Sequence, residues 1–262
     1  MRWRSSTTGI GSAKKAGGQQ LTCLASESER VRDVYRIYDA SDRRQHKRDP
    51  RRPGVDRMRS ERWQVTGEIL AGRFSESAPI RVLDIGCGEG DDLARIKRLL
   101  PTAQLFGVDL VADRLARAQL AVPEARLEVR GGQELPFSDT SVQVVLLSTV
   151  LSSILDPETR RLVVHEAYRV TGGDGLLLVY DIRVPSPWNP NVVPVTRRDL
   201  YALLPEASIQ TQSITLLPPL ARAVGDVWPG LYGPLARLRP LRTHYLSVIT
   251  RAGEPTEPTR RH

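Results

Sequence analysis

The chain has 262 residues, 40% of them hydrophobic, and a formal net charge of +8. This length allows one large α/β domain or two small ones, and no apolar run reaches the roughly 18 to 20 residues that a membrane-spanning helix needs. Two cysteines and four scattered histidines provide neither a disulfide framework nor a metal-ligand spacing, so no metal site is expected and a reducing, cytoplasmic setting is.

Residues 1–26 are basic and free of acids. They lack the apolar stretch of a secretory signal and the amphipathic pattern of a transit peptide, and they read as a disordered extension. Residues 27–75 read as lid helices. Val31, Val34, Ile37 and Tyr38 recur at helical spacing within 27–44, and a second helix over 58–72 carries Trp63, Val65, Ile69 and Leu70 for packing on the sheet edge. The charge excess lies here. Residues 1–62 hold 16 Lys and Arg against 8 Asp and Glu, whereas residues 63–262 hold 22 of each. The stretch DRRQHKRDPRRPGVDRMRSER (42–62) suits phosphates on nucleic acid, an anionic lipid or a nucleotide-linked substrate, or else forms a solvated helix and turn.

A main domain is expected over 76–252, followed by a flexible tail at 253–262. Seven strand patterns, IRVLDI, QLFGVD, RLEVR, VQVVLL, GLLLVYD, SIQTQSITL and HYLSVITR, alternate with helical patterns over 91–100, 112–121, 157–170 and 196–204. This is the signature of an α/β, Rossmann-like, mostly parallel sheet with helices on both faces and one antiparallel strand, the last. Thr196 and Asp199 resemble a capping box. The segments 185–194 and 217–240 are broken by Pro and Gly and are expected to be irregular covering loops.

The first strand runs into VLDIGCGEGDDL, placing Gly86, Gly88 and Gly90 at the carboxyl edge of the sheet, where open α/β folds bind ligands. Position 91 is Asp, which breaks the dinucleotide spacing, and a P-loop would require a Lys and a hydroxyl residue that are missing. Asp91 and Asp92 at the start of the next helix would repel a pyrophosphate. Asp109 ends the second strand, where a carboxylate can accept from both hydroxyls of a ribose. A cofactor with an unphosphorylated ribose and a positive charge or amino group near Asp84 is implied, and S-adenosylmethionine fits.

Residues 80–183 resemble the core of class I S-adenosylmethionine-dependent methyltransferases. LDIGCGEG is similar to that family's glycine motif, FGVDL to its ribose-binding segment, and GGQELPFSDTSVQVVLLSTVLSSILD to its adenine-side loop and fourth strand. The resemblance implies that Asp84, Gly86, Cys87, Gly88 and Gly90 line the methionine and ribose portion. It further implies that Asp109 and Leu110 hold the ribose, Gln133 and Glu134 lie beside adenine, and Ser148 sits under the methionine part. Two departures stand out. Gly131 replaces an acidic residue common in the family, passing the adenine contact to backbone or Gln133, and Val142-Gln143 replaces a Phe-Asp pair.

Methyl transfer needs an in-line acceptor, and a base only where the acceptor is a protonated group such as a hydroxyl. Asp181 and His165 are the candidate bases. The fourth strand is followed by STVLSS, without the Asn-Pro element that the family associates with planar amides and amines. Trp188, Asn189, Asn191, Trp228 and Tyr232 suit a sugar or aromatic small molecule, and Tyr35 and Tyr38 suit a lid. The leading expectation is O-methylation of a small-molecule or sugar-containing precursor. The alternatives are an RNA or protein methyltransferase recruited through 42–62, and a cofactor-binding module without transfer.

Overall fold

The computed structural model describes residues 16–186 and 189–251, apart from the side chains of residues 16–25, Arg43 and Arg48. Three helices come first: α1 (Ala16–Asp39), α2 (Asp42–Arg48) and α3 (Pro53–Arg73). Then follow β1 (Arg81–Ile85), α4 (Asp91–Leu99), β2 (Gln104–Asp109), α5 (Ala112–Ala121), β3 (Arg126–Val129) and β4 (Val142–Ser148). The second half comprises α6 (Pro157–Val170), β5 (Thr171–Ile182), α7 (Arg197–Leu203), β6 (Ala207–Leu216), α8 (Pro218–Val227), α9 (Tyr232–Arg237) and β7 (Arg242–Arg251).

The seven strands form one sheet in the order β3-β2-β1-β4-β5-β7-β6. β1 to β5 pair in parallel, and β7 inserts between β5 and β6 antiparallel to both, as expected of the last strand. The order reverses between β1 and β4, which opens a crevice at their carboxyl ends. Because side chains alternate along a strand, each strand feeds two cores. Val82, Val144, Leu146, Leu176 and Leu178 pack with Trp63, Leu70, Leu93 and Ile96 on one face. Leu83, Val145, Leu147, Leu177 and Val179 pack with Val163, Val164 and Leu200 on the other. Each fully buried aliphatic side chain contributes roughly 1.5–3 kcal/mol by leaving water.

The expected capping box is present. Thr196 N donates to Asp199 Oδ2 at 2.6 Å, and Asp199 N donates to Thr196 Oγ1 at 3.3 Å.

Several boundaries differ from the sequence reading. Residues 16–26, expected to be disordered, belong to α1, while residues 1–15 and the 253–262 tail lie outside the described residues. α3 starts at Pro53 rather than 58 because proline is tolerated in a helix's first turn, where its missing N–H is not needed. For the same reason Pro218 and Pro219 open α8 within a segment expected to be irregular. α3 also lies over the sheet face rather than its edge, since Trp63 and Leu70 join the core built on β1, β4 and β5. α3 and α8 cross at two glycines, where a Cβ on Gly54 would stand 2.3 Å from Ala221 O and one on Gly225 2.3 Å from Gly54 Cα.

Candidate cofactor and acceptor site

The loop after β1 is built on left-handed glycines, with φ of +74° at Gly86, +54° at Gly88 and +81° at Gly90. L side chains rarely take this conformation. A Cβ on Gly86 would also stand 2.6 Å from Val150 Cγ2. Gly90 serves the fold instead: it caps α4, and a Cβ there would meet Ala118 Cβ at 3.1 Å. Asp109 fastens the loop from the neighbouring strand, accepting from Gly88 N at 2.9 Å and Val111 N at 2.8 Å. Burial raises its carboxyl above the ordinary range, and the two backbone N–H groups oppose that rise.

Asp109, Leu110, Gly131, Gly132, Gln133 and Ser148 line a cavity of about 250 Å³. α1 closes it with Glu27, Ser28, Val31 and Tyr35, Val31 standing three or four residues on from the first pair and Tyr35 four on from Val31 along one helical stripe. The helix is hooked to the segment after β4. Glu27 accepts from Leu155 N at 2.6 Å, Arg30 donates to Ser153 O at 2.6 Å, and Tyr35 Oη and Ser153 Oγ lie 2.8 Å apart. Gln133 donates to Ser28 Oγ at 3.3 Å, tying the lid to the turn before β4.

A buried charge cluster floors the site. Asp92, at the start of α4, receives both ends of the Arg62 guanidinium, Trp63 Nε1 at 3.1 Å and Ser148 Oγ at 2.8 Å. Burial works against its ionisation, but Arg62 prevails and lowers its pKa. Asp91 pairs with Arg59 at 2.7 Å. The helix start is therefore neutralised, so these acids do not repel an anion as the sequence led us to expect. Asp84 is the cluster's second buried carboxyl, with no cation of its own among the described residues. It is buried, its Oδ1 has no hydrogen-bond partner among the described residues, and burial followed by repulsion from Asp92 raises its pKa well above the ordinary range, Arg62 opposing. Two carboxyls against one guanidinium, with one oxygen orphaned, make a receptor for a cation carrying N–H donors.

Gly86, Ser148 and Thr149 also line a second, more open cavity of about 1190 Å³, which extends under α2 and α3 to β5 and β7. Tyr180 and His244 stack there, with centroids 5.1 Å apart and planes 7° from parallel, and Arg62 lies over Tyr180 at 5.1 Å. His244 Nδ1 is 3.0 Å from Thr243 Oγ1, and burial, followed by Arg62, lowers the imidazole pKa to about 4. The ring is neutral at physiological pH. Asn189 and Asn191 line the same cavity, where Tyr38 Oη donates to Asn189 Oδ1 at 2.8 Å. Thr149 and Thr215, both on its wall, hold positive φ of 58° and 64°, strain of the kind found at functional sites.

Of the residues predicted for the cofactor, Asp84, Gly86, Cys87, Gly88, Asp109, Leu110, Gln133 and Ser148 line one cavity or both. Cys87 is buried and burial raises its thiol pKa, so it packs rather than reacts. Glu134 is exposed and lines neither cavity, because the turn at Gly131–Gly132 directs Gln133 inward. Both predicted bases are misplaced. His165 sits on the solvent face of α6. Asp181 alternates with Tyr180 along β5 and so lies on the opposite face, fully buried, accepting from Ser152 N at 3.0 Å and Ile182 N at 2.8 Å. It fastens the turn after β4. Trp188 and the Arg43 side chain lie outside the described residues, and Trp228 is a surface residue. Sequence reasoning missed Glu27, Arg62 and His244. His244 was within reach, since it stands opposite Ile182, two residues from Tyr180 on the same face.

Residues 82–175 match the family described as Methyltransferase domain. An uncharacterized protein of Haemophilus influenzae is 26% identical over 217 residues, covering 72% of this chain and 82% of that protein. A demethylmenaquinone methyltransferase of Thermus thermophilus is 32% identical over 128 residues, and the match covers 47% of this chain and 56% of that enzyme. A geranyl diphosphate C-methyltransferase from Streptomyces coelicolor, solved with S-adenosyl-L-homocysteine, superposes with a TM-score of 0.52 at 16% identity, covering 71% of this chain and 74% of that one. Sheet order, glycine loop and family match define a Rossmann-like methyltransferase fold. The matched domain and the fold are those of a class I S-adenosylmethionine-dependent methyltransferase, with S-adenosylmethionine as the cofactor.

Proposed function

We propose that the chain methylates an oxygen of a small molecule, or of a sugar-containing precursor, held in the larger cavity. The observation that carries this reading is the meeting of two cavities at Gly86, Ser148 and Thr149, beside a buried carboxyl with a free oxygen. Asp84 would hold the amino group of S-adenosylmethionine, Asp109 its ribose hydroxyls, and Leu110, Gly131 and Gln133 its adenine. Bound there, the cofactor supplies an electrophilic methyl group on a sulfonium. The chain's residues place the acceptor in line and exclude water, Tyr35 and Val31 closing one side.

His244 replaces Asp181 as the proton acceptor in this account. With Nδ1–H donating to Thr243 Oγ1, Nε2 presents its lone pair and can take the proton of an acceptor hydroxyl. The recruitment of RNA or protein through 42–62 finds less support. Of the nine Lys and Arg residues there, Arg51, Arg52, Arg59 and Arg62 are engaged by Asp49, Asp226, Asp91 and Asp92, so part of the charge excess is spent on internal ion pairs.

The test is incubation of the purified chain with methyl-labelled cofactor and fractionated host extract. Label in small molecules, lost on treatment that cleaves methyl ethers or esters, is the expected result. Label in RNA or protein would overturn the acceptor class, and no label in any fraction would favour a binding module.

A further inference from the structure

The segment between β6 and β7 carries a surface that the methyl-transfer site does not use. Val227, Trp228, Leu231 and Leu238 are 65%, 66%, 47% and 52% exposed, half of the eight large hydrophobic side chains exposed among the described residues. They are not on a loose loop. Beneath them Leu216, Ala221, Tyr232 and Ala236 form a small core, Tyr232 Oη donates to Glu61 at 2.8 Å, and Arg242 Nε donates to Ala236 O at 2.6 Å. The fold thus holds four large apolar side chains toward solvent between residues 227 and 238, at a cost that water would ordinarily select against.

Charge says what covers them. From residue 227 to residue 251 the chain has no Asp or Glu. Arg237 and Arg239 are exposed beside the apolar residues and have no carboxylate partner among the described residues, while Asp226 at the margin is held by Arg52. A second copy docking on the same face would bring like charges together, which disfavours self-association. Aromatic and aliphatic tips flanked by unopposed arginines suit an interface that is apolar inside and anionic outside.

We propose that the outer face of residues 227–239 docks on an anionic lipid bilayer, with Trp228, Leu231 and Leu238 entering the headgroup zone and Arg237 and Arg239 meeting lipid phosphates. Pro218, at the start of α8, lines the larger cavity, roughly 14 Å along that helix from Val227.

Sedimentation of the full chain with phosphatidylcholine vesicles, with and without phosphatidylglycerol, tests this. Binding is expected to require phosphatidylglycerol and to weaken roughly 25-fold in the Arg237→Gln, Arg239→Gln double variant, each arginine near an anionic surface being worth about fivefold. Leu231→Ser with Leu238→Ser should weaken it further at every salt concentration, and Trp228 emission should shift to the blue on binding and lose that shift in Trp228→Phe. Unchanged cofactor binding by the variants establishes that they fold. Failure of the intact chain to bind would overturn the proposal. So would binding that survives all these substitutions, which would place the contact in the basic N-terminal region, or a change in oligomeric state without vesicles, which would place a second copy on the face.

Discussion

Asp84 is the residue on which the site turns, because it is a buried carboxyl with one oxygen unpaired and a raised pKa. A cation bound beside it favours the ionised form, so cofactor binding should release a proton. Affinity should therefore rise with pH until Asp84 ionises unaided. Calorimetry in two buffers of different ionisation heat measures that proton, and Asp84→Asn should abolish its release. Asp109→Ala removes a charged acceptor worth about 1.5–3 kcal/mol to ribose, so cofactor affinity should fall roughly tenfold or more. His244 and Asp181 oppose each other in pH dependence. His244 is depressed from 6.5 to about 4, so its contribution to stability is present above 6.5 and is lost as pH falls toward 4. Asp181 is raised from 3.8 to about 6, so its contribution is present below 3.8 and is lost as pH rises through 6. In the wild type these slopes offset. In His244→Gln the Asp181 slope should emerge, with denaturation midpoints falling as pH rises from about 4 to about 6, while turnover of a hydroxyl acceptor falls about 100-fold or more.

Among the elements, α1 is the one that encloses the site. Its grip rests on Glu27, Arg30 and Tyr35, all engaging residues 153–156. Glu27→Ala leaves Leu155 N without its carboxylate, costing about 1–3 kcal/mol locally. Residues 27–39 should then exchange amide hydrogen faster, and cofactor affinity should drop while the global melting temperature changes little. The crossing of α3 and α8 behaves oppositely. Gly54→Ala forces a Cβ into Ala221 O, and overpacking of this kind costs about 1–3 kcal/mol. A fall in melting temperature of about 2–10 °C is expected, with cofactor affinity retained in the folded fraction. The existence of α1 and α3 was legible in Val31, Val34 and Trp63, but their placement was not. Nothing local reveals that Arg62 would reach Asp92, thirty positions along the chain.

At the scale of the molecule, the sheet was legible because hydrophobic alternation is a local property, and all seven strand patterns occupy one sheet. The lining of the crevice between β1 and β4 was legible for a related reason, since Asp84, Gly86, Gly88 and Asp109 all sit at strand ends that sequence order fixes. The wall of the larger cavity was not. His244 and Tyr180 come together only because β7 inserts beside β5, and Asp181 is excluded by the pleat that points Tyr180 inward. The central claim is that the crevice between β1 and β4 binds S-adenosylmethionine through Asp84 and Asp109. Its most direct test is calorimetric titration of the full chain and of Asp84→Asn and Asp109→Ala with S-adenosylmethionine. Saturable binding at one site per chain, weakened at least tenfold in each folded variant, is the result this account predicts. Equal affinity in all three proteins would contradict it.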